Sequence, residues 1–208
     1  MFLDTLDPPT RIVFRQLGGE PLISAFFLAG GSALALHLGH RISLDLDFFS
    51  QREYSMPELL ARLQALGRLS IESQSPDTFV GELNGVRLSF FTYPYPLLGE
   101  VVLCEGIRLA SLLDIALMKI AAIGQRGRKR DFIDLYFLCQ DQFTLDNLLR
   151  DMPRKFPNIE YPSYHLLRAL AYFDDAEDDD MPKMIKPIEW KTVRSFFVRE
   201  VNRLLETF

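Results

Sequence analysis

The feature that most constrains this chain is an apolar stretch, residues 22–38, that is interrupted by Gly30, Gly31, Ser32 and His37. A helix that crosses a membrane needs about 20 consecutive apolar residues, which this stretch does not supply. Glycines in the middle of an apolar run instead separate two buried elements. The pattern therefore predicts a strand followed by a short helix, with Ser32 as its N-cap.

The next segment, residues 44–49, alternates between apolar and acidic side chains. Alternation with a period of two predicts a strand, here with Leu44 on the apolar face and with Asp45 and Asp47 together on the other. Carboxylates two positions apart on a strand have Cα atoms roughly 6.5 Å apart. Both can then reach one Mg²⁺ ion or a pair of them, so Asp45 and Asp47 are predicted metal ligands.

The Gly30-Gly31-Ser32 turn has the composition of a phosphate cradle. Glycines allow a ligand to approach the backbone closely, and the start of a helix offers free N–H groups and the positive end of its dipole. Strand-helix-strand order places this turn and the acidic strand at one edge of a sheet. Together they predict a site for a magnesium-bound nucleotide.

The rest of the chain changes character near residue 111. Before it, strands are predicted at 68–73, 78–83, 86–92 and 107–109, with a helix from Ser55 to Leu66 and a hairpin turn at Asn84-Gly85. After it, helices are predicted at 111–123, 129–139, 163–172 and 189–205, with another capped by Thr144 and an acidic loop at 174–180. We expect an α/β core over residues 1–110 and a packed helical region over 111–208.

Composition narrows the function classes. The net charge of −5 argues against a general nucleic-acid coat but leaves room for a local basic patch. Cys104 and Cys139 lie among apolar residues and are expected to be reduced thiols, and the three histidines do not form a zinc-ligand set. The first ten residues have no apolar run, so we expect a protein of the cytoplasm that is not bound to a membrane.

The motif as a whole resembles the opening motif of the AbiEii/AbiGii-type nucleotidyltransferases, which are toxin components of bacterial toxin–antitoxin and abortive-infection systems. The resemblance rests on Gly-Gly-Ser-Ala-Leu-Ala-Leu-His-Leu-Gly-His-Arg over residues 30–41, on Ser43, and on Asp-Leu-Asp-Phe-Phe over residues 45–49. It continues at Lys119, Arg130, Asp131 and Asp134, and more loosely at Trp190.

This resemblance implies an α+β fold: a polymerase-β-like mixed sheet with flanking helices, followed by helices that complete the nucleotide pocket. It implies magnesium-dependent transfer of a nucleotide from a nucleoside triphosphate to an RNA, such as tRNA, or to a protein, and a cognate antitoxin as partner. The implied nucleotide-binding residues are Gly30, Gly31, Ser32, Arg41, Ser43 and Lys119. The implied catalytic residues are Asp45, Asp47, Lys119, Asp131 and Asp134.

The chain departs from the nucleotidyltransferase pattern at Ser89, where a third carboxylate is expected. Serine is a poor magnesium ligand and is no general base. Three explanations are open. Asp131 or Asp134 supplies the missing negative charge, or Glu82 reaches the site from its position beside the hairpin. In the third, nucleotide transfer is weak or absent. In the last case the chain is a nucleotide- or partner-binding protein.

Several residues have two interpretations. Arg41 either contacts phosphate or neutralises the acid pair. Lys119 lies on a predicted apolar helix. Its side chain either snorkels from the edge of the apolar face to place its ammonium in solvent, or binds the triphosphate, and the resemblance favours the second. Asp131 and Asp134 either face the nucleotide or pair with arginines. The basic run 126–130 is a solvated loop or guides RNA. The Tyr-Pro-Tyr-Pro sequence at 93–96 closes the sheet as a rigid loop, the favoured interpretation, or stacks on bases.

Overall fold

The computed structural model describes residues 1–206 as an α+β protein with two compact units, of which the first is Met1–Ser111 and the second begins at Leu112. The first unit contains every strand among the described residues. The second is helical throughout. The predicted α+β class and the helical C-terminal region are confirmed.

The first unit is a seven-stranded mixed sheet in the order β3-β4-β5-β2-β1-β7-β6. Its strands are β1 Phe27–Ala29, β2 Leu46–Ser50, β3 Leu69–Ser75, β4 Thr78–Leu83, β5 Val86–Thr92, β6 Val102–Cys104 and β7 Ile107–Leu109. Its helices are α1 Pro8–Gly18, α2 Gly30–Leu38 and α3 Met56–Leu66, with two 3₁₀ turns at Leu3–Thr5 and Pro21–Ala25. The central strand β2 pairs antiparallel with β1 and parallel with β5.

The two faces of the central strand β2 differ in burial. On one face the aromatic rings are fully buried, and Phe48 stacks on Phe90 with ring centroids 4.9 Å apart. On the other face lie Asp47 and Phe49 of β2, which are only half-buried. The alternation predicted for this strand therefore fixes the direction of the acidic side chain.

The start of the acidic strand was predicted two residues too early. The strand begins at Leu46, and the Leu44 side chain is 56% exposed although it was assigned to the apolar face. The Leu44 carbonyl accepts a hydrogen bond from the Thr10 hydroxyl at 3.0 Å instead of joining the sheet ladder. Asp45 consequently lies just outside the strand that carries Asp47.

The second unit contains α4 Leu112–Arg126, α5 Lys129–Asp141, α6 Leu145–Lys155, α7 Ser163–Leu170, α8 Asp174–Glu177 and α9 Trp190–Leu205. The acidic segment predicted as a loop forms the short helix α8. Asp179, just after it, accepts hydrogen bonds from the Lys129 backbone N–H at 3.0 Å and from the Arg128 guanidinium at 2.8 Å. An acidic side chain at the start of α5 complements the unpaired N–H groups and the helix dipole.

A fully buried ion pair connects two helices of this unit. The Lys155 ammonium of α6 lies 2.8 Å from the Asp114 carboxylate of α4, and both side chains have no exposed surface. Burial lowers the pKa of Lys155, while the hydrogen bond and the charge of Asp114 oppose that shift. No local sequence pattern indicates this pair, because its members are 41 residues apart.

Both cysteines are free thiols with raised pKa values. Burial and the charge of Glu200 raise the pKa of Cys139 to about 12, and burial and Glu105 raise that of Cys104. Because only the thiolate reacts, we expect iodoacetamide at about pH 8 to modify Cys139 at least about a hundredfold more slowly in the native protein than in urea, and to modify Cys104 more slowly as well. Mass spectrometry over time measures this, and reaction of either native thiol at the unfolded rate would contradict it.

Candidate active site

The acidic strand and the glycine turn meet at one point of the first unit. Ala29 of β1 is the register partner of Asp47 on β2, and α2 begins at the next residue, Gly30, with no intervening loop. A Cβ atom placed on Gly30 would lie 3.1 Å from the Asp47 Oδ2 atom. The Asp47 carboxylate, a predicted metal ligand, therefore lies directly against the first turn of α2.

Gly30 permits this junction through its backbone. Its φ of +67° is in the left-handed region, where a side chain would be strained, and it turns the chain from β1 directly into α2. The helix consequently starts two residues before the predicted N-cap. Ser32 lies inside the first turn, so its assignment as an N-cap is wrong.

Ser32 has a different role in the structure. Its side chain is buried, and its hydroxyl donates a hydrogen bond to the backbone carbonyl of Asp45. This bond ties the first turn of α2 to the residue that carries the first carboxylate. Ser32 thus positions Asp45 through the backbone.

The absence of a side chain at Gly31 allows the Arg41 guanidinium to pack against the backbone of α2. A Cβ atom on Gly31 would overlap the Arg41 guanidinium and would lie 3.3 Å from the Ser43 hydroxyl. The Arg41 side chain is buried and donates hydrogen bonds to the Ile42 carbonyl at 3.1 Å and to the Ser43 hydroxyl at 3.4 Å. A permanent positive charge is therefore fixed against the start of α2, the part of the helix that favours anions.

A substitution tests this packing. Gly31→Ala is expected to lower the free energy of unfolding by about 1–3 kcal/mol, the usual cost of inserting a methyl group where it displaces neighbours, here the Arg41 guanidinium. The matched control is Gly19→Ala, since Gly19 has φ −81° and a Cβ there meets only one atom, at 3.4 Å. Urea unfolding curves compare the two. Equal, near-zero losses would show that Arg41 does not depend on Gly31.

Ser89 occupies the position beside Asp47 on the neighbouring strand. The two residues are register partners in the parallel β2–β5 pair, and Ser89 is buried. Glu82, the alternative acid on this sheet, is exposed on β4, which is two strands away from β2. At the usual strand spacing Glu82 is about 10 Å or more from Asp47, so the structure does not bring it to the acid pair.

The second cluster predicted from the sequence forms inside the helical unit. The Lys119 ammonium of α4 lies 2.6 Å from Asp131 Oδ1 and 2.6 Å from Asp134 Oδ2, both on α5. All three side chains are almost fully buried, and the second oxygen of Asp131, Oδ2, has no hydrogen-bond partner among the described residues. The Lys119 side chain therefore does not snorkel from the edge of its helix into solvent. Its ammonium is buried between two carboxylates.

The basic run that joins α4 to α5 is partly structural. Lys129 is buried, and its ammonium donates to the backbone carbonyls of Glu177 and Asp179. Arg128 pairs with the Asp179 carboxylate. Two of the four cations in this run thus hold α5 to the segment around α8.

The donor set fits a divalent metal only together with a substrate. Within residues 1–206 no cluster of three or more His, Cys, Asp or Glu side chains could hold a metal ion by itself. Asp45 and Asp47 supply hard carboxylate oxygens, and both are half-buried. Mg²⁺ is usually bound by one or two carboxylates completed by water and substrate phosphate oxygens, so these two residues fit it.

Comparison with known proteins identifies the relatives of this chain. The family model described as nucleotidyl transferase AbiEii toxin, type IV toxin–antitoxin system, matches residues 11–99 and 94–206. An uncharacterised protein of Aquifex aeolicus is 38% identical over 186 residues, covering 87% of this chain and 88% of the relative.

Two solved structures share the fold. The nucleotidyltransferase toxin MenT4 of Mycobacterium tuberculosis superposes with a TM-score of 0.61 at 14% identity, covering 92% of this chain and 82% of the other. A candidate nucleotidyltransferase of Helicobacter pylori has a TM-score of 0.55 at 21% identity, covering 95% and 92%. Among the described residues, no helix is both long and apolar enough to span a bilayer.

Proposed function

Because this chain belongs to the AbiEii nucleotidyltransferase toxin family and is a nucleotidyltransferase, we propose that it transfers a nucleotide from a magnesium-bound nucleoside triphosphate to an RNA acceptor. The observation that carries the proposal is the Asp47 carboxylate lying against Gly30 at the first turn of α2. One place then combines metal ligands with a helix start that favours phosphate.

The metal is proposed to be Mg²⁺, held by Asp45 and Asp47. Nucleotidyltransferases of this kind generally use a divalent ion. When bound, such an ion neutralises charge on the triphosphate and orients it for in-line displacement. The two carboxylates are positioned for this by Ser32, through the Asp45 carbonyl, and by the register of β2.

The triphosphate is proposed to lie along the first turn of α2. The close approach that Gly30 and Gly31 permit, and the Arg41 charge fixed beside Ser43, suit the leaving pyrophosphate. In the reaction the acceptor oxygen bonds to the α-phosphorus, the bond to pyrophosphate breaks, and the hydroxyl proton passes to solvent. Catalysis rests on positioning and charge neutralisation, as is usual for phosphoryl-type transfer.

For the helical unit, we propose that Lys119, Asp131 and Asp134 serve the same reaction as a set, because two buried carboxylates already neutralise the Lys119 ammonium. The family resemblance is the support for this role. The mutual contacts of the three groups mean that changing one alters the other two. A substitution in this set therefore changes both transfer activity and the free energy of unfolding, and both are measured for each variant.

The biological role is proposed to be that of a toxin held in check by a cognate antitoxin, acting in the cytoplasm where triphosphates and RNA are found. The type IV toxin–antitoxin assignment of the family supports it. Induced expression should arrest growth, and co-expression of the neighbouring gene should restore it. Arrest by the Asp45→Ala, Asp47→Ala double variant would show that toxicity does not come from transfer.

The biochemical test is a screen of the four radiolabelled triphosphates against total RNA and total protein. We expect labelled RNA with at least one triphosphate, and no label with the Asp45→Ala, Asp47→Ala double variant. Label on protein alone would overturn the proposed acceptor. Magnesium-dependent triphosphate binding without any product would favour a binding protein, the interpretation that Ser89 keeps open.

A further inference from the structure

A row of half-buried aromatic side chains lies on the same face of the sheet as Asp47. Its members are Phe49 of β2, Phe91 of β5, and Tyr93 and Tyr95 just beyond β5; we call these four residues the aromatic ledge. Phe49 and Phe91 are register partners, two positions along their strands from Asp47 and Ser89. The ledge therefore begins about 7 Å from Asp47, measured along the strands.

The rings of the ledge hold one another in place. The centroids of Phe49 and Phe91 are 5.4 Å apart, those of Phe49 and Tyr93 are 5.3 Å apart, and those of Tyr93 and Tyr95 are 4.8 Å apart. Phe27, the buried register partner of Phe49 on β1, stacks beside it with ring centroids 5.8 Å apart. The Tyr93 N–H donates to the Ser50 carbonyl at 2.7 Å, which keeps the chain beside the sheet after β5 ends.

The ledge rings are less buried than the core aromatic rings of the same two strands. Phe48 and Phe90, on the opposite face of the same two strands, are 0% exposed. Phe49 and Phe91 are half-buried and lie two positions from Asp47 and Ser89. Half-buried, rigidly held rings beside a site for nucleotides are suited to stacking with a nucleobase.

The order of the strands indicates which base would stack there. Gly30 follows β1 and Ser89 is on β5, and β2 with Asp47 lies between β1 and β5. If pyrophosphate leaves along the first turn of α2, in-line displacement brings the attacking hydroxyl from the opposite side, which is the side of Ser89 and Phe91. Exposed Arg52, just beyond β2, adds a cation for a nucleic-acid phosphate.

We propose that the aromatic ledge binds the terminal nucleobase of a single-stranded RNA acceptor by stacking, and so positions its 3′ hydroxyl. This inference rests on the proposed function, because it names the residues that would hold that function's acceptor. Stacking is tolerant of sequence, so the ledge selects an unpaired end and not a particular base.

The test measures binding without requiring transfer. Full-length protein carrying Asp47→Asn is titrated by fluorescence anisotropy with a short single-stranded RNA and with the same RNA whose last nucleotide is abasic. The intact end is expected to bind about tenfold more tightly, as for one stacked base. Phe91→Leu with Tyr95→Leu should remove that difference, whereas Phe91→Tyr with Tyr95→Phe should keep it.

The matched control is Phe196→Leu, a half-buried aromatic residue of α9 that should leave the difference unchanged. No preference for the intact end in the parent protein, or a preference that survives the leucine pair with the fold intact by thermal melting, overturns the ledge. Loss of triphosphate affinity with unchanged RNA affinity assigns the ledge to the triphosphate base and overturns the acceptor assignment. Normal labelling of RNA by wild-type protein alongside either result leaves the proposed function standing.

Discussion

Replacing Asp47 with asparagine is expected to reduce nucleotidyl transfer about a thousandfold, equivalent to about 4 kcal/mol of transition-state stabilisation. Asparagine keeps the shape of the side chain and its capacity to accept hydrogen bonds, but it removes the charge that a magnesium ion needs. Because Asp47 is half-buried at the edge of the first turn of α2, the fold should tolerate the change. Initial rates of label incorporation, with thermal melting for the fold, measure both effects.

The matched control is Glu82→Gln, which removes a carboxylate from the same face of the sheet two strands away. Its transfer rate should stay within about twofold of wild type, because screening and distance weaken a charge at that separation. Equal losses for Asp47→Asn and Glu82→Gln would indicate a general field effect and not metal ligation. Retained activity in Asp47→Asn would move the site elsewhere.

Replacing Lys119 with methionine is expected to lower the free energy of unfolding by about 3–5 kcal/mol. The ammonium is the shared partner of Asp131 and Asp134, whose side chains are 4% and 0% exposed. Methionine fills similar volume but leaves two buried carboxylates facing each other. The penalty comes from removing the cation that two buried carboxylates share.

Two variants separate this effect from a general loss of surface charge. Arg128→Met breaks an ion pair whose arginine is 54% exposed, so its cost should stay below about 1 kcal/mol. Asp131→Asn keeps the Lys119–Asp134 pair and should be milder than Lys119→Met. A Lys119→Met protein as stable in urea as Arg128→Met would contradict the buried triad.

The carboxylate strand and the glycine turn were predictable because their signals are local. Alternation fixed the face of Asp47, and Asn84 and Gly85 do form the hairpin turn, both with positive φ. The position of Ser32 was not predictable, because a serine before a short helix suits an N-cap equally well. Only the positive φ of Gly30 moves the helix start upstream and turns the Ser32 hydroxyl toward the Asp45 carbonyl.

Contacts between distant parts of the sequence explain the rest. Asp131 and Asp134 were predicted to share a helix face, where they either face the nucleotide or pair with arginines. Because α4 packs against α5, the cation that pairs with these carboxylates is Lys119. Arg128 instead pairs with Asp179, some 50 residues later in the chain. The aromatic ledge depends on the parallel pairing of β2 with β5, which the sequence does not encode in any short motif.

Calorimetry of triphosphate binding with and without magnesium, for wild type and for the Asp45→Asn, Asp47→Asn double variant, tests whether these two residues bind the metal. We expect wild-type protein to bind a triphosphate in the presence of Mg²⁺ and at least tenfold more weakly when EDTA removes it. The double variant should show only the weak binding in both conditions. Unchanged magnesium-dependent affinity in the double variant would contradict the assignment of Asp45 and Asp47 as the metal ligands.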